Sequence, residues 1–153
     1  MVPAWLVIAV IGVAIAILSN RLSARDIQWF QRLQRPAWLT FEVAIPLVWI
    51  VVFICGGWSA YIVWQRTQSW PLMAGYMALE LLIMAYTPVM CKLRSLRVGT
   101  AIGGAGFVFG LLLAWPIAQV SMAALFLLLP YLLWSPVGTL ITWQMVQLNP
   151  GQA

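Results

Sequence analysis

The sequence predicts an all-α protein, an integral membrane bundle of five transmembrane helices. Two observations lead to this prediction. First, 64% of the 153 residues are hydrophobic and only 7% are charged, whereas soluble domains are about 25% charged because water must solvate their surface. Second, the apolar residues form five long runs separated by short polar segments, and a spanning helix needs roughly 20 mostly apolar residues. Because no Pro-, Gly- or Ser-rich linker divides the chain, we expect one domain over residues 1–153, with the lipid bilayer as its main partner.

The five runs differ in how they begin and end. The first is short, but no Lys or Arg precedes it as in a secretory signal, so we interpret it as a span. Pro46 lies near the start of the second span, where a missing N–H does least harm. Pro116 is expected to end the fourth span, and Pro130 and Pro136 lie inside the fifth, where membrane helices tolerate them. The predicted spans cover about 3–19, 42–65, 70–91, 98–115 and 120–146. The polar loop after the first span covers 21–41.

The basic residues predict the orientation. The second loop carries only Arg66 and the fourth carries none, whereas the first and third loops are strongly basic through Arg21, Arg25, Arg32, Arg35, Lys92, Arg94 and Arg97. Cationic loops stay in the cytoplasm, so we expect the N-terminus outside and the C-terminus cytoplasmic. The net charge of +5 is therefore interpreted as topology, and no nucleic-acid partner is expected without a cationic soluble module.

Metal and disulfide chemistry is not expected. The chain has no histidine and only two cysteines, Cys55 and Cys91, both in apolar segments. A zinc site or a disulfide framework needs more ligands than these. We therefore predict two small buried cysteines and no cofactor.

Ten tryptophans are the most unusual feature of the composition. Indole prefers the depth of the lipid headgroups, which accounts for the residues near span ends, namely Trp5, Trp64, Trp70, Trp115 and Trp143. Trp49, Trp58 and Trp134 lie within spans instead. The pattern leaves two alternatives open for these three: the wall of a pocket for a flat apolar ligand, or plain packing.

Several motifs favour the pocket. The segment from Trp29 to Trp38, with the letters WFQRLQRPAW, resembles the WYxxLxKPxW signature of the tryptophan-rich sensory protein/translocator protein family, TspO/MBR. Trp49 follows at the family's spacing of eleven residues, and Phe53 stands where the family has an aromatic. Near the C-terminus the letters LPYLLW, which end at Trp134, resemble the family's PYLxW, and LNP resembles its ending. The resemblance covers nearly the whole chain.

This sequence departs from the family pattern at four places. Thr40 and Phe41 replace a Pro-Pro pair, and Tyr86 replaces the Trp of a third-span motif whose Asn is Ile83 here. At the family's cholesterol motif, Trp143 replaces the usual Tyr and no basic residue follows, which disfavours steroid recognition there. The small residue after PYLxW, usually Ala, is Gly138 here.

The resemblance implies a cavity between the five helices, opening toward the first loop, that binds porphyrins, haem-like tetrapyrroles or isoquinoline drugs as ligands rather than as cofactors. By position, Trp49, Phe53 and Trp134 would line it, and Gly138 would face the ligand. The resemblance also implies that the loop 21–41 is a lid containing Phe30, Pro36 and Trp38. Ligand propionates would pair with Arg32 or Arg35, although these arginines would equally contact lipid headgroups.

Glu80 falls near the middle of the third span, where an ionised carboxylate is costly, so it should be protonated or partnered. Two interpretations remain open: a cavity residue that replaces the family's Asn at Ile83, or a protonated carboxyl hydrogen-bonded between helices. The fourth span carries Gly99, Gly103, Gly106 and Gly110 on one helical face. This face serves either packing within the chain or self-association, and we expect a homodimer.

The leading functional interpretation is a membrane protein that binds tetrapyrroles and related hydrophobic ligands, acting as transporter, scavenger or sensor. A second is light- or oxygen-dependent porphyrin breakdown, although the chain has no metal set, nucleophile–base pair or histidine. A third is a small proton-coupled multidrug exporter that uses Glu80, although such exporters usually carry their Glu in a first span, which is entirely apolar here.

Overall fold

The computed structural model describes residues 3–19 and 22–152, and every regular element in these ranges is helical. Arg21, which we counted among the basic residues of the first loop, lies outside the described residues. A short 3-10 helix, Glu42–Ala44, leads into α3, and another, Pro150–Gln152, follows α6. The six α-helices are α1 (Ala4–Ser19), α2 (Ala24–Gln31), α3 (Ile45–Thr67), α4 (Trp70–Leu93), α5 (Leu96–Val120) and α6 (Met122–Leu148).

Four helices of the described chain are long and apolar enough to cross a membrane. They lie within Glu42–Thr67, Trp70–Leu93, Leu96–Val120 and Met122–Leu148. The helix α1 is apolar but has only 16 residues, which is about 24 Å at 1.5 Å per residue, against a hydrocarbon core of about 30 Å. The structure therefore confirms an all-helical bundle with four long apolar helices and one shorter one.

The connections between the long helices are tight and capped by serine. The hydroxyls of Ser69, Ser95 and Ser121 accept hydrogen bonds from backbone N–H groups in the first turns of α4, α5 and α6, which satisfies donors that a helix start leaves free. Gln68 and Arg94 adopt left-handed conformations (φ 47° and 49°) at the ends of α3 and α4, which stops each helix after its last turn.

The end expected for the fourth span is wrong. The helix α5 does not stop at Pro116 but continues to Val120, and one residue, Ser121, is both its C-cap and the N-cap of α6. Proline removes only one N–H from the hydrogen-bond ladder, which a packed membrane helix tolerates. The predicted loop, residues 116–119, is thus slightly more than one further turn of helix.

Two buried clusters hold the bundle together. One lies between α3, α4, α5 and α6 and includes Val63, Ile117, Ala124 and Leu128. The other lies at the end where α4 and α6 finish and α5 begins, and it includes Leu33 of the first loop. The loop is therefore anchored to the bundle by apolar contact, and it contains the helix α2, which the sequence interpretation had treated as a polar connection.

The structure decides between the two interpretations of the glycine face. A Cβ added at Gly99 would lie 2.5 Å from the sulfur of Met90 in α4, and one at Gly110 would lie 2.6 Å from the Tyr131 ring in α6. The face is therefore occupied by helices of the same chain, which approach closely because the side chains are missing.

Candidate functional site

A small cavity lies inside the bundle, between α3, α4, α5 and α6. Its volume is about 40 Å³, whereas ligand pockets usually measure about 300–1,000 Å³. The cavity thus has room for water but not for a drug-sized molecule without a movement of its walls. Its lining consists of Trp49, Leu82, Ile83, Tyr86, Ile102, Gly103, Gly106, Tyr131, Trp134, Ser135, Gly138 and Thr139.

The two tryptophans of the cavity lining, Trp49 and Trp134, pack against further aromatic rings. The ring of Trp49 stacks on Phe53 one turn later in α3, with centroids 5.9 Å apart. In the loop, Phe41 packs edge-on against Trp134 with centroids 6.4 Å apart, and Trp38 packs against Phe41 with centroids 6.2 Å apart. These rings connect the loop surface to the cavity and provide the flat apolar faces on which a π-system can stack.

Hydroxyl groups of α6 and α4 lie in the cavity lining and next to it. The Thr142 hydroxyl donates to the Gly138 carbonyl and is hydrogen-bonded to the Tyr86 hydroxyl. The Thr139 hydroxyl donates to the Ser135 carbonyl at 2.9 Å, and the Ser135 hydroxyl donates to the Tyr131 oxygen at 3.4 Å. Most of this polarity is thereby used inside the protein.

Trp134 is the exception. Its indole N–H is the one buried side-chain polar group without a hydrogen-bond partner among the described residues. An unsatisfied buried donor costs about 1–3 kcal/mol, and such groups are rare in native structures. Because Trp134 lines the cavity, this donor is a place for the acceptor oxygen of a water molecule or a ligand.

The first loop closes the end of the bundle next to the cavity. The side chain of Asn149, at the end of α6, clamps the backbone of Gln34: its Oδ1 accepts from the Gln34 N–H at 2.9 Å, and its Nδ2 donates to the Gln34 carbonyl at 3.0 Å. The Trp38 indole donates to Gln144 Oε1 at 2.5 Å. These contacts join the loop to α6, the helix that carries Trp134.

An ion pair stiffens the loop itself. The Arg35 Nε lies 2.6 Å from Glu42 Oε1, and the guanidinium lies over the Phe30 ring at 5.4 Å from its centroid. Because both side chains of the pair are partly exposed, its contribution to stability is small. Its effect is to hold the Arg35 side chain against Glu42 and the Phe30 ring. Arg32, in contrast, is exposed at the surface.

The basic end of the bundle, where α2 lies near Lys92 and Arg94, contains one acidic side chain, Asp26, which belongs to the capping box of α2. The Ser23 hydroxyl donates to Asp26 at 2.7 Å, and this hydrogen bond lowers the pKa of the Asp26 carboxyl. The Ser23 backbone N–H and the positive charges of Arg94 and Lys92 act in the same direction. The start of α2 thus lies beside the end of α4, with its acid ionised at neutral pH.

The structure brings together part of the predicted site. Trp49, Trp134 and Gly138 line the cavity, and a Cβ at Gly138 would meet no atom within 4 Å. Phe53 stands behind Trp49 as its stacking partner. In the loop, Phe30 packs under Arg35, Pro36 is buried and Trp38 is partly exposed beside Gln144.

Glu80 and Trp58 lie elsewhere. The Glu80 carboxyl faces Gly12 of α1, where an added Cβ would lie 3.0 Å from its Oε1, and Glu80 is not part of the cavity lining. Trp58 is 60% exposed on the outer side of α3. Of the three tryptophans within spans, two therefore belong to the cavity and one faces outward.

Sequence reasoning had not assigned Tyr131, Ser135 or Thr139 to the site. The three residues recur every fourth position on α6, so they follow one stripe of the helix. Hydroxyl groups at this spacing in an otherwise apolar span were a usable signal. Tyr86 had been noted only as a departure from the family motif.

A second concavity lies on the outside, between α5 and α6. Its volume is about 320 Å³, and Thr139 lines both this groove and the internal cavity. The other lining residues of the groove are Thr100, Gly104, Phe107, Pro136, Leu140 and Trp143.

These features define a class of protein: a multi-pass integral membrane protein in which a helical bundle, closed by an anchored loop, encloses an aromatic cavity. A comparison with known protein families assigns nearly the whole chain, since residues 4–148 match the TspO/MBR family. The chain belongs to this family.

Named relatives agree with that assignment. The chain is 25% identical over 122 residues to the tryptophan-rich sensory protein of Cereibacter sphaeroides, covering 80% of this chain and 77% of the relative. It is 26% identical over 136 residues to the translocator protein of Ovis aries, covering 82% and 77%. It is 27% identical over 143 residues to the translocator protein of Homo sapiens, covering 87% and 82%.

Proposed function

We propose that this protein binds tetrapyrroles and related hydrophobic molecules in the cavity between α3, α4, α5 and α6, as a transporter, scavenger or sensor. The observation that supports this most directly is the unpartnered indole N–H of Trp134 in a cavity that also contains Trp49. A porphyrin offers the matching chemistry, because its ring stacks on aromatic faces and its carboxylates accept hydrogen bonds.

Binding requires the cavity to expand from about 40 Å³. The groups that would move are the loop rings around Phe41, and Gly138 offers free space on the α6 side. We therefore propose that the loop opens as a lid and closes again over the ligand, with Phe30, Pro36 and Trp38 moving together. The hydrogen bonds to Asn149 and Gln144 would be broken and remade in each cycle.

The test is a titration of the purified protein with protoporphyrin IX in the dark, following the porphyrin absorption band. We expect saturable binding by the wild type. Trp134→Phe keeps an aromatic ring but removes the donor, and one hydrogen bond to a charged group is worth about 1.5–3 kcal/mol, so affinity should fall by at least tenfold. Trp58→Phe is the matched control on the outer surface and should bind as the wild type does. Absence of saturable binding, or equal affinities of both variants, would contradict the proposal.

Porphyrin degradation is a second candidate because two indoles, Trp49 and Trp134, line one cavity. Illumination of the complex in air distinguishes the two functions. A new pigment that is lost in Trp49→Phe or Trp134→Phe supports an enzyme, whereas unchanged porphyrin supports a carrier or sensor.

We further propose that α1 is a fifth span, with the N-terminus outside and the C-terminus and the lid in the cytoplasm. This follows from the basic residues at the lid end and from the positive-inside rule. Single cysteines placed at residue 3 and at residue 151, in a background without Cys55 and Cys91, should be labelled by impermeant thiol reagents from opposite sides of the membrane.

We also propose a homodimer, to be checked by the mass of the detergent-solubilised protein.

A further inference from the structure

Glu80 is an acidic residue in the middle of a helix long enough to cross a membrane. It lies roughly 15 Å from Trp70 and roughly 20 Å from Leu93 along α4, at 1.5 Å per residue. The side chain is half-buried, at the seam between α1 and α4. The cavity proposed above does not include it.

The seam is shaped around this carboxyl. Gly12 of α1 faces it, and an added Cβ there would lie only 3.0 Å from Oε1. Any larger residue at this position would displace the carboxyl. The absence of a side chain at residue 12 therefore makes the space in which Glu80 lies.

In the part of the chain that the structure describes, no group compensates the charge of Glu80. Among the described residues it makes no hydrogen bond or ion pair, and α1 carries no titratable or charged side chain. Tyr76, one turn earlier, is hydrogen-bonded to Ser59 at 2.6 Å. The basic residues of the helices packed against α4 lie at helix ends, namely Arg25 of α2, Arg66 of α3 and Arg97 of α5. Lys92 of α4 itself is roughly 18 Å away along the axis.

A lone carboxylate in a bilayer must be neutralised, because its charge is costly in a hydrocarbon medium. Either a proton or a cation from outside the protein must do this. A metal ion would need further ligands, and the described residues contain no group of three or more His, Cys, Asp or Glu side chains that could hold one. A lipophilic organic cation needs only one counter-charge and apolar surroundings, which the exposed side chains of Met77 and Leu81 provide on α4.

We propose that the seam between α1 and α4 is a second ligand site, which takes a monovalent lipophilic cation in exchange for the proton of Glu80. When the cation binds, the O–H bond of the carboxyl breaks, the proton passes to water, and the carboxylate pairs with the cation. One positive charge leaves and one arrives, so the exchange is electroneutral. Because residue 12 has no side chain, the Glu80 carboxyl fits into the seam. Because Glu80 is only half-buried, a molecule dissolved in the lipid can reach it.

The experiment is a calorimetric titration of the full-length protein in detergent with tetraphenylphosphonium, in two buffers of different ionisation enthalpy at equal pH. We expect saturable binding with release of about one proton per cation. The apparent affinity should rise about tenfold per pH unit while Glu80 is protonated, because the cation and the proton compete for one group. Glu80→Gln keeps the shape and removes the charge, so it should lose the binding and the proton release. Binding without proton release, or equal binding by Glu80→Gln, would overturn the proposal.

Carbodiimide labelling provides a measurement that does not depend on a variant. A hydrophobic carbodiimide should modify Glu80, and tetraphenylphosphonium should protect it, as read by mass spectrometry of the wild-type protein. Asp26 and Glu42, the other two acidic side chains, lie near the surface and are internal controls that a water-soluble carbodiimide should reach instead. If the cation does not slow modification of Glu80, the site is wrong. Protoporphyrin binding by the same preparation is measured in parallel, so that failure of this site and failure of the cavity are told apart.

Discussion

The ring of Phe41 lies edge-on against the indole of Trp134, with centroids 6.4 Å apart. Phe41 belongs to the loop, and Trp134 lines the cavity with its N–H unpartnered. The loop therefore touches the residue on which the proposed function most depends. Any movement that admits a ligand next to Trp134 must separate these two rings or move them together.

Removal of the Asn149 clamp should loosen the loop. Asn149→Ala loses both hydrogen bonds to the Gln34 backbone, and each is worth about 0.5–1.5 kcal/mol. We expect the backbone amides of residues 33–40 to exchange hydrogen for deuterium about tenfold faster. The control is Gln147→Ala, which removes an exposed amide from the same turn of α6. Equal exchange rates in the two variants would show that Asn149 does not hold the loop.

Adjacent glycines of α5 should respond oppositely to alanine. At Gly103 a Cβ would lie 2.6 Å from the Thr139 hydroxyl and 3.3 Å from the Tyr86 ring, whereas at Gly104 it would meet nothing within 4 Å. Overpacking typically costs about 1–3 kcal/mol, and alanine favours a helix over glycine by up to about 1 kcal/mol. Thermal unfolding in detergent should therefore show a lower midpoint for Gly103→Ala and an unchanged or higher one for Gly104→Ala. The reverse order would contradict the packing described for α5 and α6.

The buried hydroxyl of Ser59 should matter more than that of its partner. Ser59 donates to the Ala124 carbonyl at 2.7 Å and accepts from Tyr76. Ser59→Ala removes two hydrogen bonds and leaves the Tyr76 hydroxyl without its partner, which should cost about 1–3 kcal/mol, whereas Tyr76→Phe removes one hydrogen bond worth about 0.5–1.5 kcal/mol. Unfolding midpoints of the two variants measure the difference. A larger loss in Tyr76→Phe would be inconsistent with a network centred on Ser59.

The capping box of α2 should be lost in acid. Hydrogen bonding from Ser23 holds the pKa of Asp26 below its ordinary value of 3.8. A carboxyl whose pKa is lower in the folded state stabilises that state above its unfolded pKa and loses this contribution as pH falls through the folded value. The side-chain carbon resonance of Asp26 should therefore titrate below pH 3.8, and Ser23→Ala should move the midpoint upward. A midpoint that stays in place would mean that Ser23 does not cap α2.

Hydrophobic patterning was sufficient to locate the long helices, because lipid requires long apolar segments with internally satisfied backbones. It failed at the ends. The residues after Pro116 read as a loop, but Ser121 caps both α5 and α6 and leaves no room for one. The helix α2 was missed because eight residues with little apolar content are stabilised by the Ser23–Asp26 capping box and by contact with the bundle.

Two residues of the cavity lining could be predicted from the sequence, because each belongs to a family motif and also lies within a predicted span. Trp49 and Trp134 were placed in one cavity by the resemblance, and the structure puts both in its lining. Trp58 has the same residue type and a similar depth but faces outward. Which side of a helix faces the interior depends on its neighbours when nearly every residue is apolar, so composition alone could not separate these tryptophans.

By itself, the sequence determined the family, the position and order of the four long apolar helices and the basic end of the bundle, because these depend on local composition and on motifs with fixed spacing. Only the tertiary structure decided what each face touches. It showed that the α5 glycines pack against α4 and α6, that Glu80 lies under Gly12 rather than in the cavity, and that the Trp134 N–H has no acceptor among the described residues. The physical reason is that contacts and hydrogen-bond partners come from residues distant in the chain, and an apolar helix carries no polar face that would reveal them in advance.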